Sequence, residues 1–123
     1  MKTKEMDRCN QCIENTNGEQ SQVCPICLTQ KIIRGKWKLV IIWLLRDDKK
    51  RFNELNKAIV EVTQGYLTQQ LRELEEDGLI HREVYKVVPP KVEYSLTKIG
   101  KEFLPVMDSM YLWGTKYVED IIQ

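Results

Sequence analysis

The chain has 123 residues, of which 19 are basic and 18 acidic, and 42% are hydrophobic. This length and balance predict one small globular domain and exclude a disordered chain or a membrane protein. The longest apolar run, Leu39–Leu45, is far shorter than the ~20 residues that a membrane-spanning helix needs. The first residues are polar and charged, so no secretory signal is expected and we predict a cytoplasmic protein.

The charge and the cysteines narrow the classes of function. A formal net charge of +1 does not by itself indicate nucleic-acid binding, so a DNA-binding surface would have to concentrate its positive charge locally. Four cysteines in a reducing compartment argue against a disulfide scaffold and favour metal binding or thiol chemistry.

Residues 1–23 differ in composition from the rest of the chain. They are rich in Asn, Gln, Glu and Thr and contain few apolar side chains. Such a segment cannot bury a core of its own. We therefore expect a polar N-terminal arm with one CxxC motif, followed by one folded domain over residues 24–123.

The first elements of that domain differ in how clearly they are predicted. Cys24–Arg34 has the pattern of a short helix, since Pro25 would lie in the first turn, where a missing N–H costs little, and Gly35 would end it. Trp37–Leu45 is almost entirely apolar, and its periodicity does not distinguish a buried helix from a buried strand. Residues 46–51 are charged and predict a turn.

Two capped helices are predicted next. Asn53 is placed to cap the first, whose apolar residues follow helical spacing: Leu55, Ala58, Ile59 and Val62. Thr63 is placed to cap the second, which Gly78 would end. The apolar residues of the second helix also follow helical spacing: Leu67, Leu71 and Leu74.

A hairpin and a long helix complete the chain. Leu79–Val88 and Val92–Leu96 have the pattern of two strands, and Pro89-Pro90 must interrupt them. Thr97 is placed to cap the last helix, in which Pro105 should cause a kink. Short helices joined by a tight connection and followed by a two-stranded ribbon predict a winged helix-turn-helix, a mainly α, α+β fold.

Specific motifs support this plan. They are Cys24-Pro25-Ile26, Gly35-Lys36-Trp37-Lys38, Arg51-Phe52-Asn53-Glu54-Leu55, Leu67–Glu75, Asp77-Gly78-Leu79-Ile80, Val88–Thr97 and Gly100. In order and spacing they resemble the HxlR-type family of bacterial and archaeal transcription factors, over about residues 24–114.

The resemblance implies a role for each element. Trp37–Leu45 would be the first helix of the winged domain, Asn53–Val60 the second, Gln64–Asp77 the recognition helix and Lys86–Lys91 the wing tip. Helices added at both ends, the first and the last, would form a homodimer interface. Some family members sense oxidants or electrophiles through a cysteine near the first helix, and Cys24 has that position.

The chain departs from the family pattern in three places. Gly65 stands where many relatives have a basic residue, and Tyr66 where methionine or valine is common. The arm and its additional CxxC have no counterpart in the common pattern.

The predicted partner is double-stranded DNA. An amphipathic helix with a polar outer face is an ordinary feature, but in this family it contacts bases and phosphates. The expected DNA-contacting residues are Gln64, Tyr66, Thr68, Gln69 and Arg72 on the recognition helix, Arg51 before the second helix, and Lys86 and Lys91 at the wing.

The last helix carries a stripe of large apolar residues that includes Met107, Met110, Trp113, Tyr117 and Ile121. In a chain this short, few surfaces are left to cover such a stripe. A second copy of the chain is therefore the favoured partner, ahead of an internal core or a cofactor pocket.

The four cysteines form the pattern CxxC-x11-CxxC. Cys9, Cys12, Cys24 and Cys27 together could hold one tetrahedral zinc ion. Alternatively, Cys24 and Cys27 could sense redox state, because a helix N-terminus stabilises a thiolate. The sequence leaves both alternatives open, and the effector, a small molecule or an oxidant, is not identified by it.

An enzymatic role has little support. His81 is the only histidine, and the sequence has neither a catalytic triad nor a glycine-rich phosphate loop. Two alternatives to a DNA-binding regulator are a CxxC thiol-disulfide oxidoreductase, which would need a thioredoxin-like βαβ context, and a zinc-stabilised protein-interaction module.

Overall fold

The structure is a computed structural model that describes residues 24–122. Contacts within the chain divide it into two units, Met1–Arg34 and Gly35–Gln123. The predicted boundary after residue 23 lies at the edge of the described residues and stays a prediction.

In the first unit, the described residues form one helix, α1, Pro25–Ile32. Cys24 is its N-cap residue and Pro25 occupies the first turn, as predicted. Cys27 is buried and Cys24 is half-buried.

The second unit has the predicted winged helix-turn-helix fold. Its elements, in chain order, are α2 Lys38–Leu44, β1 Lys50–Arg51, α3 Phe52–Ala58, α4 Gln64–Glu76, β2 Ile80–Tyr85, β3 Lys91–Leu96, α5 Lys98–Glu102, α6 Leu104–Tyr117 and a π-helical turn Val118–Ile122. The segment that periodicity left ambiguous is a helix, α2, with Ile41 and Ile42 fully buried. The family resemblance was therefore a better guide there than the local pattern.

Helix α3 begins before the predicted cap. Arg51, rather than Asn53, is the N-cap residue, and Asn53 lies exposed inside the helix. The cause is Glu54, whose Oε1 accepts a hydrogen bond of 2.9 Å from the Arg51 backbone N–H. Ala58 is also exposed, so only Leu55, Ile59 and Val62 of the predicted apolar set join the core.

Helix α4 begins and ends as predicted. The Thr63 hydroxyl accepts a hydrogen bond of 3.2 Å from the Tyr66 backbone N–H, which caps the N-terminus. Three leucines on one face are buried: Leu67, Leu71 and Leu74. Gly78 follows with a φ of 83°, a left-handed conformation that glycine adopts without a steric cost.

The sheet is antiparallel, with strand order β1-β3-β2. The predicted hairpin pairs Ile80 with Leu96 at its base and Tyr85 with Lys91 at its tip. Strand β1 was not predicted, because it lies within the charged segment expected to be a turn and pairs Lys50 with Tyr94.

Thr97 joins the end of α4, the hairpin and the C-terminal helices. Its hydroxyl oxygen accepts the Gly100 N–H at 3.1 Å, as predicted for a cap, and donates to the Gly78 carbonyl at 2.6 Å. The predicted kink is a break at Phe103, which separates α5 from α6, with Pro105 in the first turn of α6.

Within residues 24–122, no helix combines the length and the apolar character that crossing a bilayer would require.

Gly100 is buried where α5 meets the base of the hairpin, and a Cβ there would collide with the Leu79 carbonyl oxygen. We expect Gly100→Ala to lower the free energy of unfolding by about 1–3 kcal/mol, since the backbone has to shift. Gly65→Ala is the matched control, because nothing lies within 4 Å of a Cβ at that helical position. Urea unfolding of both variants tests this, and equal stabilities would contradict it.

Candidate nucleic-acid interface

The surface of α4 opposite the core is a polar row. Gly65, Gln69, Arg72 and Glu76 are all exposed, and their spacing places them one above the other along the helix. We call these four residues the outer face of α4. Arg72 makes no ion pair within residues 24–122.

One flank of α4 is tied to the start of α2. The buried ammonium group of Lys38 lies 2.6 Å from Glu73 Oε1. Seven residues before Glu73 on the same flank of α4, the Tyr66 hydroxyl accepts a hydrogen bond of 3.4 Å from the backbone N–H of Lys36. Tyr66 is therefore half-buried on this flank, at the border of the outer face.

The opposite flank is open. Gln64 and Thr68 are exposed, and the Thr68 hydroxyl donates to the Gln64 carbonyl at 2.7 Å. The first turn of α4 contains no acidic residue. Its N–H groups and the helix dipole therefore favour an anion such as a phosphate.

The wing, residues 86–90 between β2 and β3, carries one exposed lysine, Lys86. Lys91, at the start of β3, is more constrained. Its ammonium lies 5.1 Å from the centre of the Tyr85 ring and 3.7 Å from Glu93 Oε2. Lys86 is thus the wing residue whose charge is most accessible.

Glu93, on β3 next to the wing, lies close to two lysines, Lys49 and Lys91. Lys49 lies 3.5 Å from its other carboxylate oxygen. A hydrogen bond from the Tyr85 hydroxyl, together with both lysines, holds the pKa of Glu93 below its usual value. The same contact with Glu93 raises the pKa of Tyr85. Glu93 therefore offsets part of the charge of Lys49 and Lys91.

A large apolar surface lies on α6 and the turn that follows it. Tyr111, Trp113 and Ile121 are all more than 60% exposed. Trp113 stacks on Tyr117, and Tyr111 stacks on Trp43 of α2. The Arg46 guanidinium lies 4.2 Å from the centre of the Trp43 ring. Of the predicted stripe, only Met107 is buried within the described residues of the chain.

Comparison with known proteins identifies the family. The profile of the HxlR-like helix-turn-helix family matches residues 32–122. The chain belongs to the HxlR-like family.

Relatives of this HxlR-like chain are described as transcriptional regulators. It is 57% identical to the uncharacterized HTH-type regulator YdeP of Bacillus subtilis, over 80% of this chain and 77% of YdeP. A regulator from Methanothermobacter thermautotrophicus is 46% identical, over 81% of this chain and 76% of the relative. The predicted class of function, a transcriptional regulator with a winged helix-turn-helix, is thereby confirmed, and membership implies DNA binding.

The chain is also similar to solved structures of the redox regulator HypR. The reduced form has a TM-score of 0.76 and 47% identity, with 80% of this chain and 97% of HypR covered. The oxidized form has a TM-score of 0.71 and 50% identity, with 76% and 96% covered.

Most of the predicted DNA-contacting residues of this HxlR-like regulator are exposed: Arg51, Gln64, Thr68, Gln69, Arg72 and Lys86. Tyr66 and Lys91 are the two that are half-buried and held by neighbours. The contacts that the sequence analysis did not predict are those of Lys38, Glu73 and Glu93. In the sequence, the one indication of these contacts was Lys38, a charged residue inside the apolar segment that forms α2.

The cysteines are only partly described. Cys24 and Cys27 lie at the N-cap and in the first turn of α1. Cys9 and Cys12 lie outside the described residues. Among residues 24–122, no three His, Cys, Asp or Glu side chains are grouped as metal ligands would be, so the zinc hypothesis stays a prediction.

Proposed function

We propose that this regulator binds double-stranded operator DNA as a homodimer, with α4 in the major groove and the wing on the adjacent backbone. The observation that carries this proposal is the outer face of α4, which presents Gln69 and Arg72 side by side. A glutamine amide matches the donor and acceptor of adenine, and a guanidinium matches the two acceptors of guanine.

Backbone contacts would come from residues at three places. Arg51 at the start of α3 and Lys86 on the wing are exposed cations, and the N-terminus of α4 adds N–H donors around Gln64 and Thr68. Tyr66 would border the groove, and Lys91 would contribute a weaker phosphate contact because Glu93 competes for its charge. A dimer would present each of these groups twice.

The apolar surface of α6 supports the homodimer. Soluble monomers rarely expose a continuous apolar patch of this kind, whereas a two-fold symmetric interface buries one surface against its copy. The other side of α6 exposes the polar residues Asp108 and Thr115 next to Leu112. One side of the helix would thus face the partner copy and the other the solvent.

The cysteines are the proposed site of signal input. HypR is described as a redox regulator with oxidized and reduced forms. By similarity, Cys24 and Cys27 of this chain would respond to an oxidant or electrophile. The additional CxxC favours a second candidate function for the same region, in which Cys9, Cys12, Cys24 and Cys27 bind zinc and oxidation releases it.

The base contacts can be tested with Gln69→Ala and Arg72→Ala. We expect each to weaken binding to a selected DNA site by about 1–3 kcal/mol, because a good bidentate base contact contributes that much discrimination. Lys86→Ala should instead weaken binding to specific and random DNA alike and reduce the salt dependence by about one unit. Lys101→Ala, an exposed lysine on α5, is the control.

The measurement is a gel shift with DNA upstream of the protein's own gene and with random DNA, over a range of salt concentrations. Unchanged affinity in both α4 variants would contradict the role of this helix. A loss confined to the specific site in Lys86→Ala would contradict the phosphate role of the wing.

The dimer interface can be tested with Trp113→Glu. Trp113 is 68% exposed in the single chain, so a charge there should cost little monomer stability but should oppose burial against a second copy. We expect the wild-type protein to sediment as a dimer and this variant as a monomer. Asp108→Lys, which changes an exposed charge on the other side of the same helix, should remain dimeric. A dimeric Trp113→Glu protein would show that the interface lies elsewhere.

The cysteine hypothesis predicts that diamide or peroxide changes DNA affinity in protein purified anaerobically. Cys24→Ser should abolish this response, because Cys24 combines the family position with the N-terminus of α1. Zinc content and thiol reactivity, measured on the same samples, separate the two candidates: zinc release on oxidation indicates a metal site, and thiol loss without zinc indicates direct sensing. DNA affinity indifferent to oxidants, in protein that contains no zinc, would contradict both.

A further inference from the structure

Lys38 is a lysine where the packing calls for an apolar residue. Its side chain is 4% exposed, and it opens a helix whose next turn supplies the fully buried Ile41 and Ile42. Removing an ammonium group from water is costly unless a partner is placed against it. That partner is Glu73 of α4, at 2.6 Å.

Glu73 also makes a second contact, toward the outer face of α4. Its side chain is 37% exposed, and its Oε2 accepts a hydrogen bond of 3.2 Å from Gln69 Nε2, one helical turn earlier. Consistent with these contacts, the hydrogen bond from Lys38 lowers the pKa of Glu73, and the Gln69 contact lowers it further. A chain of contacts therefore runs from the buried Lys38 to a side chain of the proposed DNA-contacting surface.

We propose that Lys38 is a positioning residue for base recognition, which acts through Glu73 to hold the side-chain amide of Gln69 in one orientation. This inference rests on the proposed function, since it concerns how Gln69 selects a base. Lys38 keeps the Glu73 carboxylate in place, and the carboxylate accepts only from the Nε2 side of the amide. The reversed amide would set two acceptors, Gln69 Oε1 and Glu73 Oε2, against each other.

The fixed orientation has a consequence for specificity. One Nε2 hydrogen is used by Glu73, which leaves Oε1 as an acceptor and the second Nε2 hydrogen as a donor. This pair matches adenine, which offers the N6 donor and the N7 acceptor in the major groove. An amide without this restraint could turn to accept from cytosine N4 or to donate to guanine or thymine. Lys38 and Glu73 would thus make Gln69 selective for adenine.

The test replaces the whole ion pair, because removing Glu73 alone would leave the Lys38 ammonium group buried without its partner and could unfold the protein. In the double variant Lys38→Met/Glu73→Leu, both side chains are apolar and the Gln69 amide is released. Asp47→Asn is the control, since Asp47 belongs to an exposed ion pair with Arg46 beyond the other end of α2. Thermal unfolding of each variant establishes that it is folded.

The readout is base preference in a pool of double-stranded DNA with a randomised centre. Comparing wild type with Gln69→Ala identifies the base pair that Gln69 contacts. At that position, we expect the double variant to lose preference for adenine by about tenfold, while affinity for random DNA is unchanged. In the Gln69→Ala background, the same double change should have no further effect on this preference.

Three outcomes would overturn the inference. The first is an equal loss of affinity for every sequence, as expected of a purely structural ion pair. The second is a change in base preference that persists in the Gln69→Ala background. The third is an unaltered adenine preference in a folded double variant.

An NMR measurement without DNA separates this inference from the proposed function. In the wild-type protein, the side-chain amide signals of Gln69 should shift as acid protonates Glu73. In Lys38→Met, the midpoint of this shift should move to higher pH, because removal of the cation raises the pKa of the carboxyl group. If the Gln69 amide signals do not change when Glu73 is protonated, the inference is overturned even if DNA binding is demonstrated. A wild-type protein that selects no DNA would instead contradict the proposed function.

Discussion

The buried charge of Lys38 constrains the arrangement of the helices. An ammonium group in the core requires an anion within reach, and Glu73 can supply one only if α4 lies alongside the start of α2. The glycine at position 35 permits this approach. Gly35 has a φ of 153°, and a Cβ there would collide with the side chain of Gln70, which is itself buried in α4. The Lys38–Glu73 ion pair and the lack of a side chain at Gly35 thus hold one flank of α4 against the start of α2, and the outer face of α4 stays exposed.

A second junction sets the wing relative to α4. Gly78 reverses the chain after α4, and its carbonyl accepts from the Thr97 hydroxyl, which also caps α5. Gly100 allows α5 to pack against the Leu79 carbonyl, where a larger residue would collide. The end of the proposed recognition helix, the base of the hairpin and the helix that leads to α6 therefore meet at one point.

The sequence predicted the features that local chemistry determines. Thr63 and Thr97 cap helices and Gly78 ends one because each requirement is met within a few residues. Other features depend on distant partners. Strand β1 forms only because Lys50 and Arg51 pair with β3. Helix α2 was ambiguous because its sequence is apolar on all sides, including the exposed Val40, so it has no periodic polar face. The cap of α3 was misplaced by two residues because Glu54 bonds the Arg51 N–H. Most candidate DNA contacts lie exposed, but Glu73 and Glu93 could not be found without knowing which lysines face them.

Glu73 and Glu93 help to explain how a nearly neutral chain can present a positive surface. Lys38 is held by Glu73, and Lys49 and Lys91 are held by Glu93, so acidic charge is matched with lysines beside or beneath the proposed interface. Arg51, Arg72 and Lys86 make no ion pair within the described part of the chain and are exposed. The net charge of +1 counts both groups equally, but DNA bound as proposed would meet mainly the second. Because charges beyond roughly 8–10 Å are screened at physiological salt, the local arrangement, rather than the total, governs attraction to phosphates.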